Sequence, residues 1–461
     1  MTMTVQHTGS FSALPWNALD ARIGGNLILS DHPRYDDARR VWNGMIDRRP
    51  AAIALCRTVE DVVAAVRFAG EHGVEVAVRG GGHNAAGLAV VDDGLVIDLS
   101  EMNRVEVDPE RRIARAGGGA TWGDFDAATQ AHGLATTGGA ISMTGVAGLT
   151  LGGGLGWLMR KYGLACDNLI GAQVVLADGS IVRTSETERP ELLWGLRGGG
   201  GNFGIVTEFE FKLHPLEGMY AGLIVHPREQ ATAALRHYRE TSVADPDELV
   251  AFCALLTSPE GAQIAAYLLA YAGEATAGEG AVAGYRAFAE PLADMVGPMP
   301  YVALQQMLDD GFQPGPHAYW RSHFLTGIPD EAIDIIVAGA NAAPSPLSAV
   351  LVEHAGGAVA RVRQDDTAFD HRHAEYNLAI IARWLEPAEA DTNIAWAREL
   401  WEAMQPYARG VYVNYLGVGD SADRVREAYS PAKYARLAAL KREYDPRNTF
   451  RRNQNILPAP A

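Results

Sequence analysis

Arg79-Gly80-Gly81-Gly82-His83-Asn84 interrupts a regular alternation of helix and strand. Just upstream, Val74, Val76 and Val78 alternate in V-E-V-A-V-R-G, as a half-buried strand requires. Before that strand, Thr58 and Asp61 form a capping box, and Val59, Val62, Val63, Val66 and Ala69 keep helical spacing up to Gly73. Downstream, Leu95, Ile97 and Leu99 alternate in G-L-V-I-D-L-S as a second strand. Successive glycines at a strand end let the backbone approach a ligand closely and turn its N–H groups toward an anion such as pyrophosphate. Alone, the loop reads equally well as a tight turn beside a solvent-exposed histidine.

Three further segments carry a similar message. Residues 138–156 read G-G-A-I-S-M-T-G-V-A-G-L-T-L-G-G-G-L-G. Where side chains are missing over such a length, another backbone or a flat ligand takes their place, with a glycine-dense packing corner as the lesser alternative. No Lys follows these glycines as in a Walker loop, and no Rossmann G-x-G-x-x-G follows a first strand. Gly200-Gly201-Asn202-Phe203-Gly204-Ile205-Val206 is a backbone-exposing loop entering a strand that Pro215 ends. Near the C-terminus, Tyr412-Val413-Asn414-Tyr415 precedes Phe450-Arg451-Arg452-Asn453-Gln454-Asn455. Between these lie a capped helix from Thr121 to Gly133, a hairpin turning at Asp178-Gly179, and a helix opened by Ser430-Pro431.

A chain of 461 residues exceeds what one hydrophobic core supports, so at least two domains are expected. The composition shifts near residue 216, where glycine loops thin out and proline increases. The net charge of −17, without a basic block, argues against nucleic acid as a partner. Cys56, Cys166 and Cys253 form neither a disulfide framework nor a zinc pattern. The polar first 48 residues lack a leader pattern, and no apolar run is long enough to span a bilayer, so a cytoplasmic protein without membrane contact is the expectation. His371-Arg372-His373 lacks further ligands at a metal-binding spacing, so no metal is expected. His317 and His323, around Tyr319-Trp320, read as core or surface residues more readily than as pocket residues.

Taken in order, the four segments resemble the FAD-linked oxidases of the vanillyl-alcohol oxidase/PCMH superfamily, in the berberine-bridge-enzyme-like branch. The resemblance implies an α+β protein. Residues 1–215 would form a PCMH-type FAD-binding domain of two α/β subdomains. Residues 216–400 would form a substrate domain with an antiparallel sheet covered by helices, and residues 401–461 a segment returning to the FAD domain. It also implies FAD bonded covalently to His83. Arg79, Gly80, Gly81, Gly82, Asn84 and Gly87 would hold the pyrophosphate. Gly145, Val146, Gly148, Gly152, Gly153, Gly154 and Gly156 would line the flavin, as would Gly204, Ile205 and Val206. Tyr412, Asn414 and Asn453 would close over it, with Tyr412 also among the implied catalytic residues.

Many members carry a second flavin bond from a cysteine. Alignment on Thr144-Gly145 places that position at Ile141, so a single link through His83 is implied, with Cys166 a packing residue. Thr144 falls at the family's oxygen-gatekeeping position, which implies access for dioxygen. Some members place a carboxylate base shortly before a Trp, but Tyr376–Trp384 contains no acid. This leaves Tyr415 as the implied base, needing a cation or the flavin to stabilise its phenolate. Leu416-Gly417 follow it where N-Y-x-D is usual, and Asp420 is too late to match. The implied activity is hydride transfer from a small organic alcohol, a secondary metabolite or sugar-like compound, to the FAD, with release of hydrogen peroxide, by a monomer or homodimer. Amine oxidation, oxidative cyclisation, an oxygen-insensitive dehydrogenase and a non-catalytic flavin binder are the alternatives.

Overall fold

The computed structural model describes residues 14–24 and 26–460. The leaderless reading of the first residues lies largely outside this range. The stretch up to residue 48 is less irregular than its polarity suggests. Trp16–Arg22 is helical, and Leu27–Leu29 forms a strand.

The first half of the chain builds two sheets. One has the order Leu27–Leu29, Ala52–Leu55, Leu95–Asp98, Val76–Arg79, and its last three strands are parallel. The helix Val59–His72 covers this sheet. Its capping box at Thr58 and Asp61 forms as read from sequence, and Gly73 closes it in the left-handed conformation. The second sheet is antiparallel, in the order Val105–Asp108, Ile113–Gly117, Ile205–Lys212, Leu169–Val175, Ile181–Ser185. The hairpin at Asp178-Gly179 joins its last two strands. Pro215 does not simply end a strand: His214–Pro215 pairs with Leu134–Ala135.

The third sheet has nine strands, all antiparallel, contributed by residues 219–410. Its last edge strand, Ala408–Gly410, comes from the C-terminal segment. The helices Ala231–Ser242, Asp330–Asn341 and Ala390–Ala403 cover one face. Alternation assigns the side chains. Ala251, Cys253 and Leu255 point to the helices, whereas Val250, Phe252 and Ala254 point the other way. That second face meets Leu155, near the end of the glycine run, and Trp157, Leu158 and Met159, which follow it. Both faces are therefore buried, which explains why these strands read as apolar runs and not as clean alternation.

The C-terminus is sewn back onto the first half. Lys441 is fully buried and donates to Asp445 at 2.7 Å, to the Asn202 carbonyl at 2.8 Å and to the Phe450 carbonyl at 2.9 Å. Asn202 donates to the Gly199 carbonyl at 2.8 Å and accepts from the Ile456 N–H at 2.9 Å. Ser430 stands at a helix N-cap as read, but its side chain makes no capping bond; Pro431 supplies the first turn.

Asp126 marks another joint between the halves. It accepts from Gln305 Nε2 at 2.6 Å, and its Oδ1 lacks a protein partner. Burial pushes its carboxyl up to about 8 from 3.8. The folded chain thus holds a proton that the unfolded chain releases, so Asp126 costs stability increasingly from about pH 4 to about pH 8. Asp126→Asn should raise the melting temperature at pH 8 by about 2 °C or more, and progressively less toward pH 5. Parallel melting curves of the two proteins would refute this.

Candidate active site

A cavity of about 310 Å³ lies between the glycine-rich segments and the second face of the nine-stranded sheet. That volume suits a cofactor or substrate-sized guest. One end is nearly all backbone, formed by Gly80, Gly81, Gly82, Gly145, Gly148, Gly200, Gly201 and Gly204. The sheet supplies the other end through Phe252, Trp320, Leu351, Glu353 and Ile381, joined by Tyr415.

The glycines serve two purposes. At Gly81 a Cβ would lie 2.6 Å from the Cα and N of Gly145, so here two backbones fill each other's space. At Gly148 and Gly201 a Cβ would meet no protein atom within 4 Å, although both line the cavity. Gly148 sits inside the helix Val146–Leu151, where glycine costs about 1 kcal/mol relative to alanine. A guest in the cavity accounts for that cost. Asn453 and Gln454 also line the cavity, and Asn453 Oδ1 and Gln454 Nε2 are buried without a partner among the described residues. A flat, polar-edged ligand such as FAD fits a backbone cradle with unused donors and acceptors at one end.

His83 lines the cavity beside Thr144, with Oγ1 to Nδ1 at 3.3 Å, and its ring stacks on Trp42 at 4.7 Å and 20°. Burial, reinforced by the Arg383 cation, pulls its pKa down to about 4; a bond to the Met143 carbonyl acts in the opposite direction. At neutral pH the imidazole is uncharged. Its one N–H is held by the carbonyl, and the other nitrogen keeps its lone pair.

Other sequence-derived residues that line the cavity are Asn84, Gly152, Gly156, Ile205, Val206, Tyr412 and Asn414. Five do not. Arg79 is buried against Asp98 and the Arg40 carbonyl, with the stem of its side chain packed beside Gly82. Gly87 closes a turn onto the Asn84 carbonyl at 3.0 Å, with Ile46 against it. Val146 has its N–H on the Ala120 carbonyl at 2.9 Å and its side chain in the core. Gly153 packs under Phe369 and Tyr412, and Gly154 under Ala165. Ile141 lines the cavity, whereas Cys166 is buried elsewhere, and burial holds its thiol far above the usual range.

Tyr412 is held in place by the protein around it. Its oxygen accepts from the Gly154 N–H at 2.8 Å, the Leu155 N–H at 3.3 Å and Asn414 Nδ2 at 2.7 Å. It shapes the glycine loop. Among the described residues, no cation stands beside Tyr415 to stabilise the phenolate that a base would need. Burial pushes its pKa well above 10, and the neighbouring Glu353 pushes it further.

Glu353 is the residue that sequence reasoning missed. Its carboxyl accepts from Tyr415 at 3.3 Å and from Asn377 Nδ2. Burial raises it to about 7, against the lowering effect of those two bonds. In the sheet Glu353 stands directly opposite Asn377, the second residue of the acid-free stretch Tyr376–Trp384. A charged residue in A-V-L-V-E-H, two positions from the cavity-facing Leu351, was the available signal. On the neighbouring strand, Trp320 points into the cavity. His323 faces the helices and bonds to the Trp401 carbonyl at 2.9 Å. His371 bonds to the Glu427 carbonyl at 2.9 Å. Among the described residues, no cluster could hold a metal ion and no helix is long and apolar enough to cross a membrane.

Residues 50–185 match the family model for an FAD binding domain, and residues 411–457 match that for berberine and berberine-like proteins. An FAD-linked oxidoreductase of Dictyostelium discoideum is 34% identical over 90% of this chain and 91% of its own length. The (R)-6-hydroxynicotine oxidase of Paenarthrobacter nicotinovorans is 34% identical over 95% of this chain and 97% of its own. The crystal structure of 6-hydroxy-D-nicotine oxidase from Arthrobacter nicotinovorans superposes with a TM-score of 0.85 at 31% identity, covering 94% of this chain and 98% of that one. Xylooligosaccharide oxidase from Myceliophthora thermophila, solved with xylobiose, gives 0.85 at 25% identity over 96% of this chain and 100% of that one.

The space beside Gly148 yields a test with opposite signs. Gly148→Leu should stabilise the flavin-free chain by up to about 1 kcal/mol through helix propensity. It should also weaken flavin retention at least about tenfold. Melting of the flavin-free protein and titration with FAD measure the two effects; unchanged retention would show that the space is not the ligand's.

Proposed function

We propose, for a chain that belongs to the berberine-bridge-like family of FAD-linked oxidoreductases, that it oxidises a small alcohol on FAD bonded to His83. When bound, FAD supplies the hydride acceptor and passes the electrons to dioxygen, which leaves as hydrogen peroxide. The observation that carries this reading is Glu353, the one carboxylate that lines the cavity among the described residues, held near pKa 7 beside Tyr415. A base with this pKa is half ionised at neutral pH and still strong enough to take a hydroxyl proton as the hydride departs. Tyr415 donates to the carboxylate and keeps it aimed. Tyr412 holds the glycine loop, and Gly80–Gly82 with Asn84 present the backbone that would hold the pyrophosphate. A neutral His83 keeps a nitrogen lone pair, which a covalent link requires. Thr144, at the gatekeeping position, supports access for dioxygen.

Phe252, Trp320, Leu351 and Ile381 offer almost no hydrogen bonds to a substrate. A compact apolar body matches this wall better than a polyhydroxylated sugar does. The relative named for 6-hydroxynicotine favours amine oxidation as a second reading, because Glu353 would equally take a proton from nitrogen.

Glu353→Gln should lower kcat by about 10²–10⁴-fold. In the native enzyme kcat/KM should rise with pH through about 7, because only the ionised Glu353 accepts a proton. Tyr415→Phe removes a bond that lowers the Glu353 pKa, so the rise should move to higher pH with a smaller loss of rate. A flat profile excludes Glu353 as the base. Slow reoxidation of reduced flavin in air would replace the oxidase reading with a dehydrogenase.

A further inference from the structure

Arg383 is a buried cation without an ion-pair partner among the described residues. Its guanidinium donates to the carbonyls of Gly311 and Gln313, the latter at 2.8 Å, and Nε has no acceptor. It lies over Trp42 at 5.1 Å and over Phe312 at 5.3 Å. Trp42 in turn stacks on His83 and is fixed at both ends. Its indole N–H donates to the Phe312 carbonyl at 2.6 Å, and its backbone N–H to the Gly82 carbonyl at 3.1 Å. Arg383 comes from the large sheet, Trp42 from the N-terminal segment and His83 from the glycine loop, so all three meet only in the folded chain. An isolated buried charge is expensive, and neither substrate proton transfer nor the backbone cradle requires this one.

We propose that Arg383 and Trp42 are positioning residues for flavin attachment: the cation keeps the His83 imidazole unprotonated, and the indole fixes its plane. The inference rests on the reading of His83 as the attachment residue. In that step a ring nitrogen of His83 bonds to the 8α carbon of the flavin. The carbon gives up one proton, the imidazole gives up its N–H proton, and two electrons and these two protons remain on the flavin. Dioxygen then accepts them and leaves as hydrogen peroxide. A protonated imidazole has no lone pair for this bond, so a proton on His83 blocks it. Burial does most to keep that proton off, and Arg383 adds to it. Arg383 is the one charged group bearing on His83 among the described residues; its other neighbours, Trp42, Thr144 and the Met143 carbonyl, do not titrate near neutral pH.

The full chain, produced without riboflavin and mixed with FAD, reports attachment as flavin that stays with the protein after acid denaturation. In the native chain the attachment rate should be the same at pH 5.5 and pH 8. Arg383→Glu places an anion beside the histidine and should return its pKa to its ordinary range, making attachment about tenfold slower at pH 5.5 than at pH 8. Arg383→Gln should give a smaller slowing in the same direction, and Arg383→Lys should restore the flat profile. Trp42→Ala should slow attachment equally at both pH values. Non-covalent FAD binding before attachment reports whether each variant has folded. A flat profile in folded Arg383→Glu and Arg383→Gln overturns the proposal. If the native chain retains no flavin after denaturation, the reading of His83 itself has failed.

Discussion

Two backbones cross at Gly81 and Gly145, closer than any Cβ would permit. The rest of the site depends on that crossing. It brings the loop carrying His83 against the segment carrying Thr144, and it leaves a wall of peptide groups along one side of the cavity. Side chains on either strand would push the walls apart. The same crossing ties the parallel sheet, which ends at Arg79, to the glycine run that packs on the large sheet.

The large sheet contributes chemistry through alternation alone. With helices on one face, every second residue of a strand is committed to that core, and the intervening ones face the side on which the cavity lies. Phe252, Leu351 and Ile381 make this wall apolar, and Glu353 is the exception. Its elevated pKa follows from its position: removed from water, with Tyr415 and Asn377 as its hydrogen-bond donors among the described residues, the carboxylate is poorly stabilised. Unpaired burial that would count against a structural residue prepares this one to accept a proton.

The elements set by local rules were legible in the sequence. The caps at Thr58 and Thr121 and the turn at Asp178-Gly179 form as read, and the strand entered at Ile205 forms but ends at Lys212, short of Pro215. The glycine segments also revealed that backbone would line a ligand, although Gly153 and Gly154 serve protein packing instead. What the sequence hid was strand pairing. Glu353 and Asn377 are neighbours only because Ala349–His354 lies beside Tyr376–Trp384, and a search confined to one window could not bring in the acid from the next strand. Trp42 and Arg383 were missed for the same reason. The contacts that matter for each of them span the whole domain arrangement.

Anaerobic mixing with apolar alcohols and amines, followed by flavin absorbance, tests the central claim that this cavity joins a flavin cradle to a buried proton acceptor. The account predicts bleaching by at least one such compound, at a rate that increases through about pH 7 and collapses in Glu353→Gln. Bleaching that is independent of pH from 5.5 to 8.5, or flavin that no member of the panel reduces, would contradict it.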